Sequence, residues 1–361
     1  MNDVAKLFVS PDSSIRDAIV CIDQCGLGLA LVVDGEWRLI ATITDGDIRR
    51  ALLAGVDFGR PVQALLDERP VIAPKAPTTA PSGTEPALLL DLMSQHVVRH
   101  IPLVDSGGRV VDIALLSDFI KTFEPPMRAL VMAGGFGTRL RPLTDELPKP
   151  MLPMGDRPLL EVIVRQLQQA GIRHVSISRH YKGDQIEQHF GDGRRFDVDI
   201  EYVDEDQPLG TAGALGLLAN GVERSNDDDP LLVINGDILT QVNYAAMLDF
   251  HRSNRADLTM AVRPFEVQVP YGVVDTDGIL VRGVDEKPVI RNFINAGIYL
   301  LATHVCRLVP AGERYDMTQL IGRAVAERLR VISFPLREYW LDIGQSDDYA
   351  RAVADLKDGK V

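Results

Sequence analysis

Residues 130–160 carry the densest set of groups that could bind phosphate. An apolar run at 129–132 leads into the loop Gly134-Gly135-Phe136-Gly137-Thr138-Arg139, and Lys149 follows ten residues after Arg139. Glycines let backbone N–H groups approach phosphate oxygens closely, and the arginine and lysine add two positive charges. The stretch therefore predicts a polyphosphate site at the end of a strand.

Spacing separates this loop from two familiar phosphate loops. The P-loop ends in Gly-Lys-Ser/Thr, whereas this loop ends in Gly-Thr-Arg. The dinucleotide fingerprint G-x-G-x-x-G also fails, because the glycines stand at 134, 135 and 137. The stretch resembles the signature of the sugar-1-phosphate nucleotidyltransferases, GGxGTRLxPLT…PKPMLP, nearly without a break. A plain turn between a strand and a helix is the alternative.

Two aspartates far apart in sequence are the candidate metal ligands. Asp237 directly follows an apolar strand predicted at 231–234, and Asp342 lies in the segment WLDIG. Mg²⁺ usually takes one or two carboxylates plus phosphate oxygens. The resemblance implies that both aspartates chelate one Mg²⁺ together with the nucleotide phosphates. A turn-capping role is the alternative for Asp237, and a plain turn is the alternative for the segment that contains Asp342.

The resemblance also assigns roles to a larger set of residues. It implies that Arg139, Lys149 and Asp237 are catalytic, with Arg139 stabilising the pyrophosphate and Lys149 the α-phosphate. The nucleotide would be bound by Gly134, Gly135, Gly137, Thr138, Glu205, Gly210 and Thr211. The sugar phosphate would be bound by Gly272, Glu286, Lys287, Asn295 and Gly297. Glu286 and Lys287 are otherwise a solvated charge pair in a loop.

Glu205 is the candidate reader of the nucleotide base. Residues 205–213 read EDQPLGTAG and resemble the family's base-reading loop, with Gly210 near the base edge. Uridylyl- and thymidylyltransferases commonly have a glutamine five residues before that glycine, where this chain has Glu205. A carboxylate only accepts hydrogen bonds, and guanine offers two adjacent donors, so we expect GTP as the preferred substrate. The alternative is that Glu205 points to solvent in an acidic loop.

Composition excludes several other classes of protein. The 361 residues suffice for one or two domains, and the net charge of −13 argues against a nucleic-acid binder, which would carry a basic footprint. Three cysteines give no disulfide framework, and neither a signal-peptide pattern nor a run of 18 apolar residues occurs. We therefore expect a cytoplasmic protein that binds neither nucleic acid nor membrane.

The N-terminal third repeats itself with a period of 71 residues. Residues 31–34 (LVVD) return at 102–105 (PLVD), and Asp47 returns as Asp118. Each copy predicts a helix, two strands and a short helix, a unit too small to bury its apolar face alone. The unit resembles a CBS domain and the pair resembles a Bateman module, with repeat units at about 4–58 and 67–123.

The CBS resemblance implies a regulatory nucleotide cleft. In that family a Thr and an Asp matching Thr44 and Asp47 bind an adenine nucleotide, here AMP, ADP or ATP as a possible effector. The second copy keeps Asp118 but has Leu115 where the Thr should be. Two alternatives remain open: a packing or dimerisation module without ligand, and a purely structural role in which Asp47 caps the following helix.

After a linker at 124–126, strands alternate with helices. We predict strands at 174–178, 198–202 and 231–234 with helices at 185–190 and 212–220, and a helix that begins near Pro158. This pattern indicates a doubly wound, mostly parallel α/β sheet over residues 127–361, a Rossmann-like nucleotidyltransferase fold, preceded by the α+β CBS pair. Ligands of such sheets bind beyond the carboxyl ends of the strands.

The resemblances together imply an enzyme that forms an NDP-sugar and pyrophosphate from an NTP and a sugar 1-phosphate. Mg²⁺ is the implied cofactor, and a GDP-hexose or GDP-hexosamine is the expected product. A uridylyl- or thymidylyltransferase of the same fold stays open, and so does a nucleotide sensor without turnover. The motifs suit hexosamine, mannose and heptose phosphates alike. We also expect a homo-oligomer.

Overall fold

The chain folds into two compact units, Met1–Phe123 and Glu124–Val361. The structure, a computed structural model, describes residues 4–67, 77–96, 98–119, 127–218 and 229–360. The predicted linker at 124–126 lies outside these residues. In the described part of the chain, no helix is long and apolar enough to cross a membrane.

The first unit contains the same order of elements twice. The first copy has β1 (Phe8–Val9), α1 (Ile15–Cys25), β2 (Leu29–Val33), β3 (Leu39–Thr44), α2 (Asp45–Leu53) and α3 (Val62–Asp67). The second has β4 (Ala80–Pro81), α4 (Pro86–His96), β5 (His100–Val104), β6 (Val110–Leu115) and α5 (Leu116–Phe119). Each copy forms a three-stranded sheet, with the orders β1-β2-β3 and β4-β5-β6.

The two copies join through equivalent residues. Arg38 and its counterpart 71 positions later, Arg109, form an antiparallel bridge. The backbone N–H of Val110 donates to the carbonyl oxygen of Trp37 at 3.0 Å. Apolar side chains of both copies share one core, which includes Leu29, Leu31, Val110, Ile113 and Leu115. This shared core supplies the burial that one copy could not reach alone.

The second unit is built around one seven-stranded sheet. The described strands of this unit, seven of which form the large sheet, are β7 (Arg128–Met132), β8 (Pro153–Met154), β9 (Arg157–Pro158), β10 (His174–Arg179), β11 (Asp199–Asp204), β12 (Leu231–Asn235), β13 (Ile238–Thr240), β14 (Leu258–Gln268), β15 (Val273–Asp277), β16 (Leu280–Asp285), β17 (Val289–Leu301), β18 (Val331–Pro335) and β19 (Trp340–Asp342). Its helices are α6 (Leu159–Gln169), α7 (Gly183–Phe190), α8 (Gly213–Leu218), α9 (Tyr244–Ser253), α10 (Thr303–Cys306), α11 (Met317–Ala326) and α12 (Ser346–Lys357).

Most neighbouring strands of the large sheet are parallel. The order is β11-β10-β7-β12-β17-β14-β18, and four of the six neighbouring pairs run parallel. The prediction of a doubly wound, mostly parallel sheet is confirmed. The chain leaves β7 toward β10 and β11, then returns to β12 on the other side of β7. The carboxyl ends of β7 and β12 therefore form the topological switch point, where such sheets bind ligands.

Hydrophobic periodicity located the elements that support this point. α6 starts after Pro158 and buries the predicted stripe of Leu159, Leu160, Ile163, Val164 and Leu167. The strands predicted at 174–178, 198–202 and 231–234 are observed as β10, β11 and β12, with ends displaced by one or two residues. Backbone pairing decides those ends, and apolar runs alone do not encode it.

Gly236 permits the close approach of β7 and β12 at the switch point. A Cβ at Gly236 would lie 2.8 Å from the carbonyl oxygen of Met132, which also accepts the Gly236 N–H at 2.9 Å. We expect Gly236→Ala to lower stability by about 1–3 kcal/mol, because the strand ends must separate. The readout is the midpoint of thermal unfolding.

Gly322→Ala is the matched control, because nothing lies within 4 Å of its added Cβ. Gly322 is inside α11, where alanine favours the helix, so this variant should keep or raise the midpoint. A Gly236→Ala midpoint equal to that of wild type would contradict the proposed crowding.

Candidate active site

A short antiparallel ladder brings Asp237 and Asp342 together. β13 pairs with β19, and Ile238 stands opposite Asp342. The backbone N–H of Ile343 donates to the carbonyl oxygen of Asp237 at 3.0 Å. Two carboxylates separated by about a hundred residues thus come together beyond the end of β12.

Lys149 lies against one of these carboxylates. Its Nζ is 2.5 Å from Oδ2 of Asp237, and only 11% of the lysine side chain is exposed. Lys149 opens a 3-10 turn, Lys149–Met151, which follows Pro148 and is itself buried. The turn fixes the lysine backbone, so the ammonium group enters the site from the end of the signature segment.

Arg139 reaches the same point from the glycine loop. Gly137 has φ +63°, and a Cβ there would lie 2.9 Å from Thr144 Cγ2 and 3.0 Å from Lys149 Cβ. Only glycine allows this loop to close against the lysine segment. One Arg139 guanidinium nitrogen lies 3.8 Å from the Cβ position at Gly344, close to Asp342. Gly135 and Thr138 are exposed on the outer side of the loop.

The four charged groups act on one another. Partial burial, followed by the negative charge of Asp237, raises the pKa of Asp342, while Lys149 and Arg139 oppose the shift. Part of the Asp342 side chain still reaches solvent. Burial and the neighbouring carboxylate thus make the ionised form of Asp342 unfavourable, and an added positive charge beside it would oppose that effect.

The donor set fits a divalent cation shared with phosphate. Oδ1 of Asp237 is buried and has no hydrogen-bond partner in the described part of the chain. Over the same residues, no cluster of three or more His, Cys, Asp or Glu side chains surrounds a common point. A cation held by Asp237 and Asp342 would therefore need phosphate and water oxygens to complete its coordination shell. Mg²⁺ is usually coordinated in this way.

Glu205 is buried beside the glycine loop, so the alternative that it points to solvent is wrong. The residue is 7% exposed. Its Oε2 accepts the backbone N–H of Leu209 at 3.0 Å, and its Oε1 lies 3.2 Å from the Cβ position at Gly134. The fold turns this carboxylate inward, although Asp204 and Asp206 on either side are exposed.

The loop that carries Gly210 and Thr211 is held by residues that sequence reasoning did not identify. Gly210 has φ +80°, and a Cβ there would lie 2.5 Å from Oδ1 of Asp316. The same oxygen accepts the Thr211 N–H at 3.2 Å, and Thr211 Oγ1 accepts the Met317 N–H at 2.8 Å. Asp316 and Gln319 form a capping box at α11. The capping box can be identified from the sequence, whereas the contact between Asp316 and Thr211 cannot.

Phe136 and two residues after β10 form an aromatic cluster next to Glu205. The Phe136 ring centroid lies 5.6 Å from His180 and 5.5 Å from Tyr181. His180 Nδ1 is 2.7 Å from the carbonyl oxygen of Glu205, so this nitrogen carries the proton and donates it. The sequence does not reveal this contact, because His180 and Glu205 lie 25 positions apart.

The predicted sugar-phosphate residues fall into two groups. Gly297 (φ +70°) leaves room for Asn235, whose Nδ2 would be 2.7 Å from a Cβ at Gly297. Asn295 donates to the Tyr299 hydroxyl at 2.6 Å and accepts the Gly297 N–H at 3.0 Å. This group therefore packs on the strand end that carries Asp237.

The other group stands on the β15–β16 hairpin and the loop after it. A Cβ at Gly272 would lie 3.1 Å from Oε2 of Glu286. Both Glu286 and Lys287 are exposed, and Lys287 has a φ of 51°. In the described residues, no hydrogen bond joins this pair to Asp237 or Asp342. A lysine in the left-handed region is a strained position of the kind that collects at binding sites.

The two halves of the N-terminal unit use their matching aspartates alike. Oδ2 of Asp47 accepts the Thr44 N–H at 2.9 Å and the Thr44 hydroxyl at 2.8 Å, and Arg50 lies 2.8 Å from Oδ1. Asp118 accepts the Leu115 N–H at 2.9 Å. Both aspartates thus cap a short helix, which is the structural role foreseen as an alternative for Asp47.

Two family models match parts of this chain. The family model "Nucleotidyl transferase" matches residues 128–359, and the model "CBS domain" matches residues 3–54. A D-glycero-alpha-D-manno-heptose 1-phosphate guanylyltransferase of Aneurinibacillus thermoaerophilus is 34% identical over 232 residues, which cover 64% of this chain and 99% of that protein.

Two further relatives match the same part of the chain. A mannose-1-phosphate guanylyltransferase of Mycobacterium tuberculosis is 36% identical over 238 residues, 64% of this chain and 65% of the relative's length. A Bacillus anthracis crystal structure, assigned as a glucose-1-phosphate thymidylyltransferase, superposes with a TM-score of 0.52 at 26% identity. It covers 64% of this chain and 96% of its own.

The raised pKa of Asp342 predicts a stability effect with a defined sign. A folded carboxyl with a raised pKa contributes most stability when protonated and loses that contribution as pH rises through the raised value. We expect Asp342→Asn in metal-free protein to raise the thermal midpoint at pH 8, with a difference that disappears below the ordinary pKa of aspartate. The same variant should bind Mg²⁺ more weakly.

Asp197→Asn is the control, because the pKa of Asp197 is shifted in the opposite direction to that of Asp342. Gln168 and Arg173 hold the pKa of Asp197 below its usual range, so its contribution is present at neutral pH and lost on acidification. This variant should lower the midpoint at pH 8. An Asp342→Asn midpoint below that of wild type at pH 8 would show that the carboxylate stabilises the metal-free fold.

Proposed function

Because the chain belongs to the nucleotidyl transferase family, we propose that it makes a GDP-sugar and pyrophosphate from GTP and a sugar 1-phosphate. The observation that carries the proposal is the meeting of Arg139, Lys149, Asp237 and Asp342 at the switch point of the sheet. Two cations and two carboxylates directly beyond a glycine loop suit a nucleoside triphosphate with its metal. The presence of all four favours turnover over a sensor without catalysis.

The proposed reaction requires little general acid–base catalysis. The sugar phosphate is already an anion at neutral pH, and its oxygen attacks the α-phosphorus in line while the bond to pyrophosphate breaks. Catalysis is then positioning and charge neutralisation. Lys149, held by Asp237, would neutralise the α-phosphate, and Arg139 would stabilise the departing pyrophosphate.

Asp237 and Asp342 would hold the divalent cation, which we propose to be Mg²⁺. The buried, unpartnered Oδ1 of Asp237 in the described structure supports this assignment. When bound, such a cation neutralises charge on the phosphates. The protein contributes the β13–β19 ladder, which fixes both carboxylates before substrate arrives.

Glu205 would select guanine. Its inward position beside Gly134 supports a contact with the base, since the glycine loop begins at that residue. Guanine presents N1–H and N2–H₂ side by side, which one carboxylate can accept as a pair, whereas uracil and thymine would turn carbonyl oxygens toward it. Gly272, Glu286, Lys287, Asn295 and Gly297 would bind the sugar 1-phosphate, with Lys287 on the phosphate.

We further propose that an adenine nucleotide binds the N-terminal unit near Thr44 and Asp47 and alters activity. The match of residues 3–54 to the CBS model supports the proposal. The helix-capping contacts of Asp47 leave it less available than the resemblance implied. Linkage requires that the effector bind two states of the protein with different affinity.

Arg139→Ala should lower kcat by about 10²–10³ with a much smaller change in the KM for sugar phosphate, since charge stabilisation acts mainly in the transition state. Asp237→Ala should abolish metal-dependent turnover. Pyrophosphate release is the assay. Arg141→Ala, an exposed arginine of the same loop paired with Asp145, is the control and should retain activity. Retention of more than about half of wild-type kcat by either test variant would refute its assigned role.

GTP should give the highest kcat/KM when all NTPs are compared against a panel of sugar 1-phosphates. Glu205→Gln should reduce GTP use by about ten- to a hundred-fold and raise the use of UTP or dTTP relative to it. Glu201→Gln, an exposed glutamate of β11, is the control and should leave the ranking unchanged. Faster turnover of UTP or dTTP than of GTP by wild type would refute the role of Glu205 in selecting guanine.

AMP should bind the full chain in calorimetric titration, and Asp47→Ala should weaken that binding. Asp17 forms the same capping box with Ser14 in α1, so Asp17→Ala controls for the loss of a helix cap alone. We expect AMP binding to survive Asp17→Ala. Equal binding by wild type and Asp47→Ala, or none by wild type, would refute the effector site.

A further inference from the structure

The ladder that carries Asp237 and Asp342 is too short to fix its own position. β13 and β19 have three residues each, and in the described structure they pair only with each other. β13 continues directly from β12, so the large sheet positions it, whereas β19 comes from a distant part of the sequence. Two-stranded ladders are marginally stable in water, so β19 needs further contacts to keep Asp342 beside Asp237.

Arg263 supplies one of these contacts at the free edge of β19. The Tyr339 carbonyl, one residue before the strand, faces β13 and accepts the Gln241 N–H at 3.0 Å. Successive carbonyls of an extended chain point to opposite sides, so the Trp340 carbonyl points away from β13. One guanidinium nitrogen of Arg263, on β14 of the large sheet, donates to this oxygen at 2.6 Å.

The Trp340 side chain supplies a second contact. Its indole N–H donates to the carbonyl oxygen of Ala296 at 2.8 Å. Ala296 lies on β17 between Asn295 and Gly297, two of the predicted sugar-phosphate residues. The guanidinium carbon of Arg263 lies 5.6 Å from the centroid of the same indole ring. One arginine and one tryptophan thus fasten β19 to both β14 and β17.

Arg263 serves this anchor and no ion pair. Its side chain is partly buried, and no carboxylate of the described residues pairs with it. A cation that is withdrawn from water needs compensating contacts, and here they are the Trp340 carbonyl oxygen and the indole ring. The planar guanidinium group can donate from its edge while its face meets an aromatic ring, which an ammonium group cannot do.

We propose that Arg263 is a positioning residue for Asp342. It fixes β19 two residues before Asp342, and with Trp340 it sets the separation between this carboxylate and the strand that carries Asn295 and Gly297. Groups behind a metal ligand hold the ligand where the metal requires it, and their loss weakens metal binding by about ten- to a hundred-fold. The role rests on the proposed function, because it acts through a candidate metal ligand.

Hydrogen exchange of the full chain without ligand tests the anchor itself. The Ile343 N–H donates to the carbonyl oxygen of Asp237, so its exchange shows whether the ladder is closed. Arg263→Met should speed this exchange about tenfold, while the amides of β10 exchange as in wild type. Arg263→Lys keeps a charged donor and should recover most of the protection. Equal exchange at Ile343 in wild type and Arg263→Met, or in the lysine and methionine variants, overturns the proposal.

Trp340→Phe tests the same anchor with a smaller change. Phenylalanine keeps an aromatic ring and the backbone carbonyl, and it removes only the N–H that reaches Ala296. This variant should also speed exchange at Ile343 while the amides of β10 keep their protection. Wild-type exchange at Ile343 in Trp340→Phe would show that β17 does not hold the ladder, and would count against the anchor.

Arg195→Met is the matched control. Arg195 also donates to a backbone carbonyl, that of His189 at 3.2 Å, and its guanidinium carbon also lies 5.6 Å from an aromatic ring, that of Phe196. It stands before β11, at the amino ends of the parallel strands. Exchange at Ile343 should match wild type. Faster exchange there would show that the loss of any such arginine opens the ladder, and the specific role of Arg263 would be refuted.

Fluorescence follows the metal ligand without an activity assay. The chain has two tryptophans, so Trp37→Phe leaves Trp340 as the only one, two residues from Asp342. Mn²⁺ is paramagnetic and should quench this indole when it binds at Asp342. Adding Arg263→Met should move the quenching midpoint to about tenfold higher Mn²⁺. An unchanged midpoint overturns the proposal, and no quenching at all would refute the metal role of Asp342 and the proposal with it.

Kinetics separates this proposal from the proposed function. In pyrophosphate release, Arg263→Met should need about tenfold more Mg²⁺ for half-maximal rate. Its preference among NTPs should not change, because separate contacts hold Glu205. A changed preference would mean that the variant disturbs the whole site, and would contradict a role confined to Asp342. A wild type without turnover on any NTP and sugar 1-phosphate would refute the proposed function, while hydrogen exchange would still decide the anchor.

Discussion

The candidate active site depends on holding four charges of both signs at one edge of a sheet. Asp237 and Asp342 would repel each other, and the contact between Lys149 and Asp237 offsets that repulsion on one side only. A partly buried ion pair contributes little net stability, because desolvation cancels most of its attraction. The charges must therefore be kept in place by something else. Here it is the backbone: the β13–β19 ladder holds the aspartates, and the 3-10 turn holds the lysine.

Glycines let these backbone segments come close enough. Gly137 brings the glycine loop against the lysine segment, Gly236 brings β12 against β7, and Gly297 brings β17 against Asn235. At each position a Cβ would lie within 3.0 Å of a neighbouring atom. The site is thus a junction of strand ends packed at backbone distance. A larger side chain at any of these three glycines would therefore force neighbouring backbone segments apart.

The N-terminal unit and the β15–β16 hairpin both carry candidate binding residues at positions that also affect local stability. Asp47 caps α2 in the same way that Asp118 caps α5, and a ligand at Asp47 would compete with or add to those contacts. Three of the predicted sugar-phosphate residues, Gly272, Glu286 and Lys287, directly flank the β15–β16 hairpin, in which every residue of both strands is exposed. Both features join binding to local stability, so a ligand or a partner there would act on folding as well as on affinity.

The sequence alone predicted the fold class, the strands and helices between residues 129 and 234 and the glycine loop, because apolar periodicity and glycine spacing are local properties of the chain. It also predicted Asp237 and Asp342 as candidate metal ligands, but it did not predict how close they lie. The packing of the folded chain turns Glu205 inward, places Asp316 against the Thr211 loop and brings His180 to the Glu205 backbone. These contacts join residues between 25 and 105 positions apart. Such pairings follow from how the strands and loops pack in three dimensions, and no local pattern records them.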